Sequence, residues 1–394
     1  FASMPKTEAL PWVWRENLRL LQDVVAEDYV LDLDPTVKPL YGCQEGAELG
    51  YSPQKPGRPS HCYHTLCIAE LRMALAVVVH PGDETAGAHS RSMLSEYLAF
   101  VSAVRKPCLV RGEVSFGNDS VICDCEGADV RYLFKTKRSK AVRGEFLSLL
   151  AEPGAWLGAA GGWQCAERDV RLDSWARARR MVFARRPAEA MPKRRKSPPT
   201  RKFTQLGIPG LELVEASDGA CADGYEWYAL VTDLDMDARN VLPLCRGRGD
   251  CENVFDEMKN QWGWGGFTAR SLAQTALFAG LSVIAANLWN VFTRLCDDGT
   301  HREAATSRPL LQSCVARISR HARQGVITIY TAANEKAQGI YRAISAFLAK
   351  VASASQLGVE QRRQLIVAYA LRKYGIVRRL FPPLIGRQAT LPLR

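Results

Sequence analysis

The sequence lacks the marks of an exported protein. Its twelve cysteines include no CxxC pair, and no secretory leader opens the chain. This pattern predicts reduced, buried thiols in a cytoplasmic protein. His61 and His64 lie beside Cys62 and Cys67, but their spacing matches no zinc pattern, so we expect structural roles for them.

An uninterrupted apolar run and an internal repeat are also missing. The most apolar window, residues 271–292, is long enough to cross a bilayer, but five polar side chains interrupt it. We therefore expect a buried core helix and no membrane partner. The chain opens at Phe1 without a methionine, which leads us to expect a missing upstream segment. The polar residues of the window are Gln274, Thr275, Ser282, Asn287 and Asn290.

The composition is that of a globular protein with a basic surface. The 394 residues are 47% hydrophobic and 24% charged, which is enough for one large domain or two to three smaller ones. Lys and Arg outnumber Asp and Glu by 52 to 41, giving a net charge of +11, which favours a polyanionic partner. Residues 191–202, MPKRRKSPPTRK, predict a flexible basic loop.

The first part of the chain predicts an α/β fold. Residues 29–34, YVLDLD, have the alternation of a strand, which places Asp32 and Asp34 on one face, and we expect Pro35 to end the strand. The following segments predict two strands, a helix, a strand that ends at Glu113, a helix and a last strand, which together make a mixed sheet flanked by helices. They are residues 64–71, 72–80, 88–104, 107–113, 116–128 and 130–137.

The remainder divides into a middle part and a helical end. Short strand-like runs accompany Trp163, Trp175 and Trp227 in the middle part, and a possible strand at 325–330 interrupts the helical end. We expect a helical segment at 1–27 with a helix at 9–26, the first part of a core at 28–137, a β-rich insertion at 138–240 and a helical remainder at 241–394.

Three carboxylates from separate elements suggest one site. Asp34 and Glu113 end strands, and Glu252 lies on a predicted helix whose other charged side chains form one stripe. Such a stripe is by itself typical of a solvated helix face. Three acids on two strands and a helix can instead bind a pair of divalent cations for phosphoryl transfer. The stripe consists of Cys245, Arg248, Glu252, Asp256 and Lys259.

Three motifs resemble the DDE transposases of bacterial insertion sequences, in the branch marked by a Tyr-Arg-Glu-Lys signature. Arg248, Glu252 and Lys259 match that signature, and Cys245 stands in the tyrosine position. LDLDPT matches the first-acid segment through Asp34, with Asp32 as the fallback. LVRGEVSFG resembles the second-acid segment, with Glu113 where the family has aspartate.

The resemblance implies an RNase H-like core with a strand-rich insertion that contacts the transposon end and helps hairpin formation. It implies that Asp34, Glu113 and Glu252 hold two Mg²⁺ or Mn²⁺ ions. Arg248, Lys259 and the Cys245 position would contact DNA phosphates. The tryptophans, Trp227 among them, would either pack in the core or stack on an unpaired base. The expected partners are double-stranded transposon ends and target DNA, bound by a homodimer that associates with the nucleoid.

Two departures from the family pattern leave alternatives open. The extra methylene of Glu113 displaces a carboxylate in a site that tolerates little misplacement, and the Cys245 thiol is a weaker donor than a phenol. The sequence therefore also fits a truncated, catalytically impaired remnant that still binds DNA. A structure-selective nuclease with the same core, which cuts DNA without joining it, is a further alternative.

Overall fold

The computed structural model describes most of the chain between residues 29 and 353. The N-terminal helix predicted at 9–26 is described at four residues, all of them helical, and the basic loop at 191–202 lies outside the described residues. The described residues are 13, 15–17, 29–50, 52, 55–84, 86–101, 106–187, 224–296, 301–312, 315–321, 324–330, 335–353 and 358.

Ten strands form one mixed sheet in the described part of the chain. Its order is β2-β3-β1-β5-β6-β10-β9-β8-β7, with β4 also paired to β3. The β1–β5 and β5–β6 pairs are parallel, and the other pairs are antiparallel. The strands are β1 (Val30–Pro39), β2 (Glu48–Leu49), β3 (Pro59–Ile68), β4 (Met73–Pro81), β5 (Leu109–Gly112), β6 (Arg131–Lys135), β7 (Leu157–Gly158), β8 (Gln164–Val170), β9 (Arg179–Pro187) and β10 (Tyr225–Thr232).

Helices cover both faces of this sheet. The first three pack on the face that receives Leu31 and Leu33, and the next three pack on the opposite face. The first six helices are α1 (Ala86–Phe100), α2 (Asp119–Gly127), α3 (Lys140–Ala151), α4 (Ala238–Arg246), α5 (Gly249–Gln261) and α6 (Leu272–Cys296). Further along lie α7 (Ala304–Gln312), α8 (Glu335–Ser353) and a hairpin of β11 (Val315–His321) with β12 (Gln324–Tyr330). The predicted mixed sheet flanked by helices is confirmed.

The first strand is longer than the sequence predicts. Pro35 does not end β1, because the strand continues to Pro39 and Pro35 pairs with His64 of β3. β5 pairs with β1 only as far as Leu33, so one edge of β1 is open beyond that point. A proline is tolerated on an open edge, where its missing N–H leaves no carbonyl unpaired.

The strands of residues 138–240 extend the core sheet. β10 pairs antiparallel with β6, and β9 and β8 follow in order, so these strands do not form a separate layer. The region also begins with the helix α3, which the sequence did not predict. Its N-cap is Ser139, whose hydroxyl accepts a hydrogen bond from the backbone N–H of Val142. The proposed boundaries of the insertion stay a prediction.

The most apolar helix packs on the edge strand β4. α6 is long and apolar enough to cross a membrane by length and composition, but its polar residues contact protein. Asn287 donates to the carbonyl of Ala74 at 2.6 Å, and Asn290 donates to the carbonyls of Leu71 and Arg72 at 2.9 and 3.0 Å. These amides satisfy carbonyls at the edge of the sheet, which explains why a core helix carries them.

Replacing Asn287 by Ala should therefore destabilise the fold. The variant leaves the buried carbonyl of Ala74 with one donor fewer and removes the contact with Asn17, so we expect a loss of about 1 to 3 kcal/mol in the free energy of unfolding. Gln274→Ala is the matched control, because Gln274 is exposed on the same helix and should change stability by less than about 0.5 kcal/mol. Urea unfolding of the three proteins measures the difference, and equal stabilities would contradict this account.

Candidate active site

Two predicted acids meet where the parallel pairing of β1 with β5 ends. Leu33 of β1 is paired with Gly112 of β5, so the next residues along the two strands, Asp34 and Glu113, lie side by side. In open α/β sheets, ligands bind at this end of the strands. The register of this strand pair therefore brings two acids that are distant in sequence next to each other.

The side chain of Arg248 joins these two acids. Its Nη2 donates to Asp34 Oδ2 at 2.9 Å, and its Nη1 donates to Glu113 Oε1. Lys135, at the end of β6, donates to the same Glu113 oxygen at 2.9 Å. Arg248 is only 8% exposed. The result is a largely buried cluster of two carboxylates and two cations beside the carboxyl ends of β5 and β6.

A second, fully buried ion pair holds the helix that carries Arg248. Arg111 lies opposite Asp32 in the β1–β5 pairing and contacts both of its carboxylate oxygens at 2.8 Å. Its Nη1 donates to the carbonyl of Leu244, in the last turn of α4, at 2.6 Å. Gly247 passes so close that a Cβ there would lie 2.8 Å from Arg111 Nη1. Arg111 thus ties the α4–α5 junction to the sheet.

This pairing separates the roles of the two aspartates. Asp32, the fallback for the first acid, is fully buried and engaged by Arg111. Asp34 lies two residues further along β1 and belongs to the more accessible cluster with Arg248 and Glu113. The structure therefore favours Asp34 over Asp32 as the acid of the site.

Burial and charge set the protonation of the cluster. Burial raises the pKa of Asp34 to about 7, against the opposing effect of Arg248, and the nearby charges of Glu113 and Asp32 raise it further. Burial also acts to raise the pKa of Glu113, but Arg248 and Lys135 together hold it below its usual value. Near neutral pH, Glu113 is the ionised partner of Arg248, and Asp34 exchanges its proton readily.

The helix α5 runs from this cluster along β1. Arg248 immediately precedes α5, and Lys259 of its last turn donates to the carbonyl of Val37 at 3.2 Å. Glu252 lies on the same helix face, one turn beyond Arg248, because residues four and eleven apart share a face. The side chain of Glu252 is exposed and, among the described residues, forms no hydrogen bond or ion pair. The predicted stripe is thus divided: Cys245 lies in α4, which ends at Arg246, and the part from Arg248 to Lys259 follows α5 and contacts β1 at both of its ends.

Comparison with protein-family models supplies the identification. The model described as transposase DDE domain group 1 matches residues 3–353. The chain belongs to this family of DDE-domain transposases. No curated protein matches it.

A solved structure has a distant likeness to this family member. A cryo-EM structure of the piggyBac transposase synaptic complex with hairpin DNA has 11% sequence identity and a TM-score of 0.36. The match covers 90% of this chain and 63% of that chain. This likeness is too low to transfer a site or a substrate.

The donor atoms of the transposase site suit a divalent cation in part. Asp34 and Glu113 offer the carboxylate oxygens that Mg²⁺ and Mn²⁺ prefer, and they already share the positive charge of Arg248. Within the described residues, no group of three or more His, Cys, Asp or Glu side chains stands ready to hold a metal ion. The pair of strand acids fits the ion, and the addition of Glu252 to them stays a prediction.

Two residues predicted to contact DNA lie in the core. Trp227 is 1% exposed and stacks on Phe146, with the ring centroids 4.2 Å apart. Cys245 is buried with Val241 and Leu242 on the underside of the site, where burial raises the pKa of its thiol. Neither side chain has the accessible surface that a base or a phosphate contact requires, so these two assignments are not supported. Trp163 and Trp175 are also buried.

Sequence reasoning missed Lys135 and Arg111. Lys135 ends the strand that pairs with β5, and the pairing of Gly112 with Phe134 places it beside Glu113. Counting residues to the ends of adjacent parallel strands would have identified it. Arg111 carries no such signal, because a charged residue inside a short strand does not reveal which carboxylate it meets.

The pKa of Asp34 predicts how stability depends on pH without metal. A carboxyl group with a pKa of 3.8 when unfolded and about 7 when folded gains a proton on folding. Its contribution to stability is therefore fully present below about pH 4 and is lost as the pH rises through 7. Asp34→Asn removes this titration.

The comparison needs both proteins unfolded by urea in EDTA at several pH values. Relative to Asp34→Asn, the wild-type protein should lose a few kcal/mol of unfolding free energy, at about 1.4 kcal/mol per pKa unit, between about pH 4.5 and 8.5. A difference that stays constant over this range would show that Asp34 is not held in the environment described.

Proposed function

We propose that this chain is a DNA transposase that cuts phosphodiester bonds at the ends of an insertion sequence and joins the freed 3′-hydroxyl to target DNA. The observation that supports the proposal is the convergence of Asp34 and Glu113 on Arg248. These residues come from the three segments that carry the family resemblance. The basic net charge of +11 fits a phosphodiester substrate.

Each residue of the cluster has a role in this proposal. Asp34 and Glu113 would hold divalent cations, and Glu252 would complete the carboxylate set. A pair of Mg²⁺ or Mn²⁺ ions would supply charge stabilisation at the attacking and leaving oxygens. Lys259, half-buried on α5, would hold a phosphate of the transposon end, whereas Arg248, whose Nη atoms are both engaged by the acids, would reach a phosphate only by exchanging one of them for it.

The position of Lys135 adds a further cation to this arrangement. Lys135 is partly exposed and contacts the same oxygen of Glu113 as Arg248. When a phosphate enters the cluster, both cations have a second anion within reach. Positive charge that is already placed beside the reacting phosphate costs little reorganisation as charge develops on its oxygens.

Glu113 stands where the family has aspartate. The longer side chain of Glu113 contacts both Arg248 and Lys135 through its Oε1, and it remains 36% exposed. The additional methylene therefore does not remove the carboxylate from the cluster. This supports an active enzyme, while the impaired DNA-binding remnant and the cutting-only nuclease are alternatives that experiment separates.

The remaining parts of the proposal concern the assembly. Double-stranded transposon ends and target DNA would be the partners of a homodimer in the cytoplasm, associated with the nucleoid. The strands of residues 138–240 would contact the transposon end near a hairpin. Because these strands are joined to the core sheet through β10 and β6, they would hold the DNA in a fixed relation to the acids.

The decisive experiment measures cleavage and joining by purified variants. Duplexes carrying the terminal repeats that flank its own gene are incubated with the protein and Mg²⁺ or Mn²⁺. Glu252→Gln should lower cleavage by about 100-fold or more, because a displaced ligand in two-metal chemistry is poorly tolerated. Asp256→Asn is the matched control, since Asp256 is an exposed acid one turn further along α5, and it should cleave normally.

The outcomes distinguish the three functions. Cleavage followed by joining supports the transposase, and cleavage without joining supports the nuclease. Binding without cleavage by either the wild-type protein or Glu113→Asp supports the remnant. If Glu113→Asp alone cleaves the DNA, the extra methylene is the cause of the impairment. Equal cleavage by Glu252→Gln and Asp256→Asn would show that Glu252 is not part of the site.

A further inference from the structure

We propose that Tyr41, Lys55 and Arg58 form a second DNA-contacting surface, which holds the phosphate backbone and stacks on an unpaired base within about seven nucleotides of the acids. This surface, named the Tyr41 patch, deepens the proposed function and depends on DNA being the substrate. No motif of the sequence singles it out.

The Tyr41 patch is an exposed aromatic ring between two cations. Tyr41 lies two residues beyond the end of β1 and is 69% exposed. The guanidinium carbon of Arg58 lies 4.4 Å from the centre of its ring, and Lys55 Nζ lies 4.9 Å from it. Lys55 also donates a hydrogen bond to the Tyr41 hydroxyl. The cations thus hold an otherwise free ring at the surface.

The charges of the patch are not neutralised by carboxylates. Within the described part of the chain, neither Lys55 nor Arg58 forms an ion pair. By contrast, the exposed Arg91 pairs with Asp124 at 2.6 Å. Two uncompensated cations attract an anion, and the ring between them offers a flat apolar face. Phosphate and base, repeated along one strand, satisfy both requirements together.

The patch is continuous with the candidate active site. Between Asp34 and Tyr41, β1 contacts Lys259 through the carbonyl of Val37. The next residue, Lys38, donates to the backbone carbonyl of Phe267, whose ring is exposed and stacks on Phe278 with the centroids 3.8 Å apart. Lys38 is buried, so this stretch offers at the surface the half-buried Lys259 and the exposed ring of Phe267.

The length of this route sets the distance along DNA. Tyr41 lies seven residues after Asp34, and at about 3.3 Å per residue of extended chain this is at most roughly 23 Å. Duplex DNA rises about 3.4 Å per base pair, so this span corresponds to at most about seven base pairs. A duplex with its scissile phosphate at the acids would thus reach the patch with its flank.

The test measures the salt dependence of DNA binding in EDTA, with a mixed-sequence duplex of about 30 base pairs as the probe. Each phosphate contact contributes about 0.9 to the slope of log K against log salt. Lys55→Ala/Arg58→Ala should therefore lower the magnitude of the slope by about 1.8. Tyr41→Ala should weaken binding of a single-stranded probe by roughly 5-fold to 100-fold, as expected for one stacked base.

A matched control removes the same charges from the other side of the sheet. Arg91 lies on α1, which packs on the face opposite α5, and Lys106 donates to the carbonyl of Ala128 just beyond α2. Arg91→Ala/Lys106→Ala should keep the wild-type slope, and so should Lys55→Arg/Arg58→Lys, which preserves both charges of the patch. Circular dichroism checks that all variants are folded.

Three results would overturn the proposal. They are an unchanged slope in Lys55→Ala/Arg58→Ala, an equal loss of slope in Arg91→Ala/Lys106→Ala, and no binding by the wild-type protein at low salt. Failure of the proposed function is a separate result, because it appears as absent cleavage in Mg²⁺ or Mn²⁺, whereas this binding assay contains no metal.

Discussion

The buried ion pair between Arg111 and Asp32 is the interaction on which the candidate site depends. It joins directly opposed residues of β1 and β5, so it supports the register that places Asp34 beside Glu113. The same guanidinium holds the carbonyl of Leu244 and thereby the junction from which Arg248 extends. Breaking a buried pair of this kind typically costs about 3 to 5 kcal/mol, because one charge is left without its partner. Stability and site geometry therefore depend on one side chain.

The cluster above this pair is held together by opposite charges at close range. Two carboxylates share Arg248, Lys135 adds a second cation at Glu113, and burial is the largest cause of the raised pKa of Asp34. A buried acid of this kind gains from additional positive charge. That property is what a phosphoryl-transfer enzyme of the DDE family requires of its acids, and it follows here from burial and strand register.

The continuous sheet joins the strands on either side of the acids into one unit. β10, β9 and β8 extend the core sheet past β6, while β1 leads from the acids in the other direction toward Tyr41. Contacts with a nucleic acid on either side of the acids would thus be fixed relative to the reacting phosphate. Such positioning matters because displacements of about 1 Å can reduce rates by about 100-fold. Asn287 satisfies a carbonyl of the edge strand β4, and Asn290 satisfies carbonyls of the turn that precedes it.

The sequence by itself determined the elements and the residues at their ends. Alternation predicted β1 and the face shared by Asp32 and Asp34, and helical spacing placed Arg248, Glu252 and Lys259 on one face of α5. Only the tertiary structure decided that Pro35 lies inside a strand, that β10 joins β6, that Trp227 is buried and that Arg111 takes Asp32 as its partner. Periodicity along a chain reports which side of an element is buried, because neighbouring residues share that element. It contains no information about which distant strand or charge lies opposite, because that choice depends on the packing of the whole sheet.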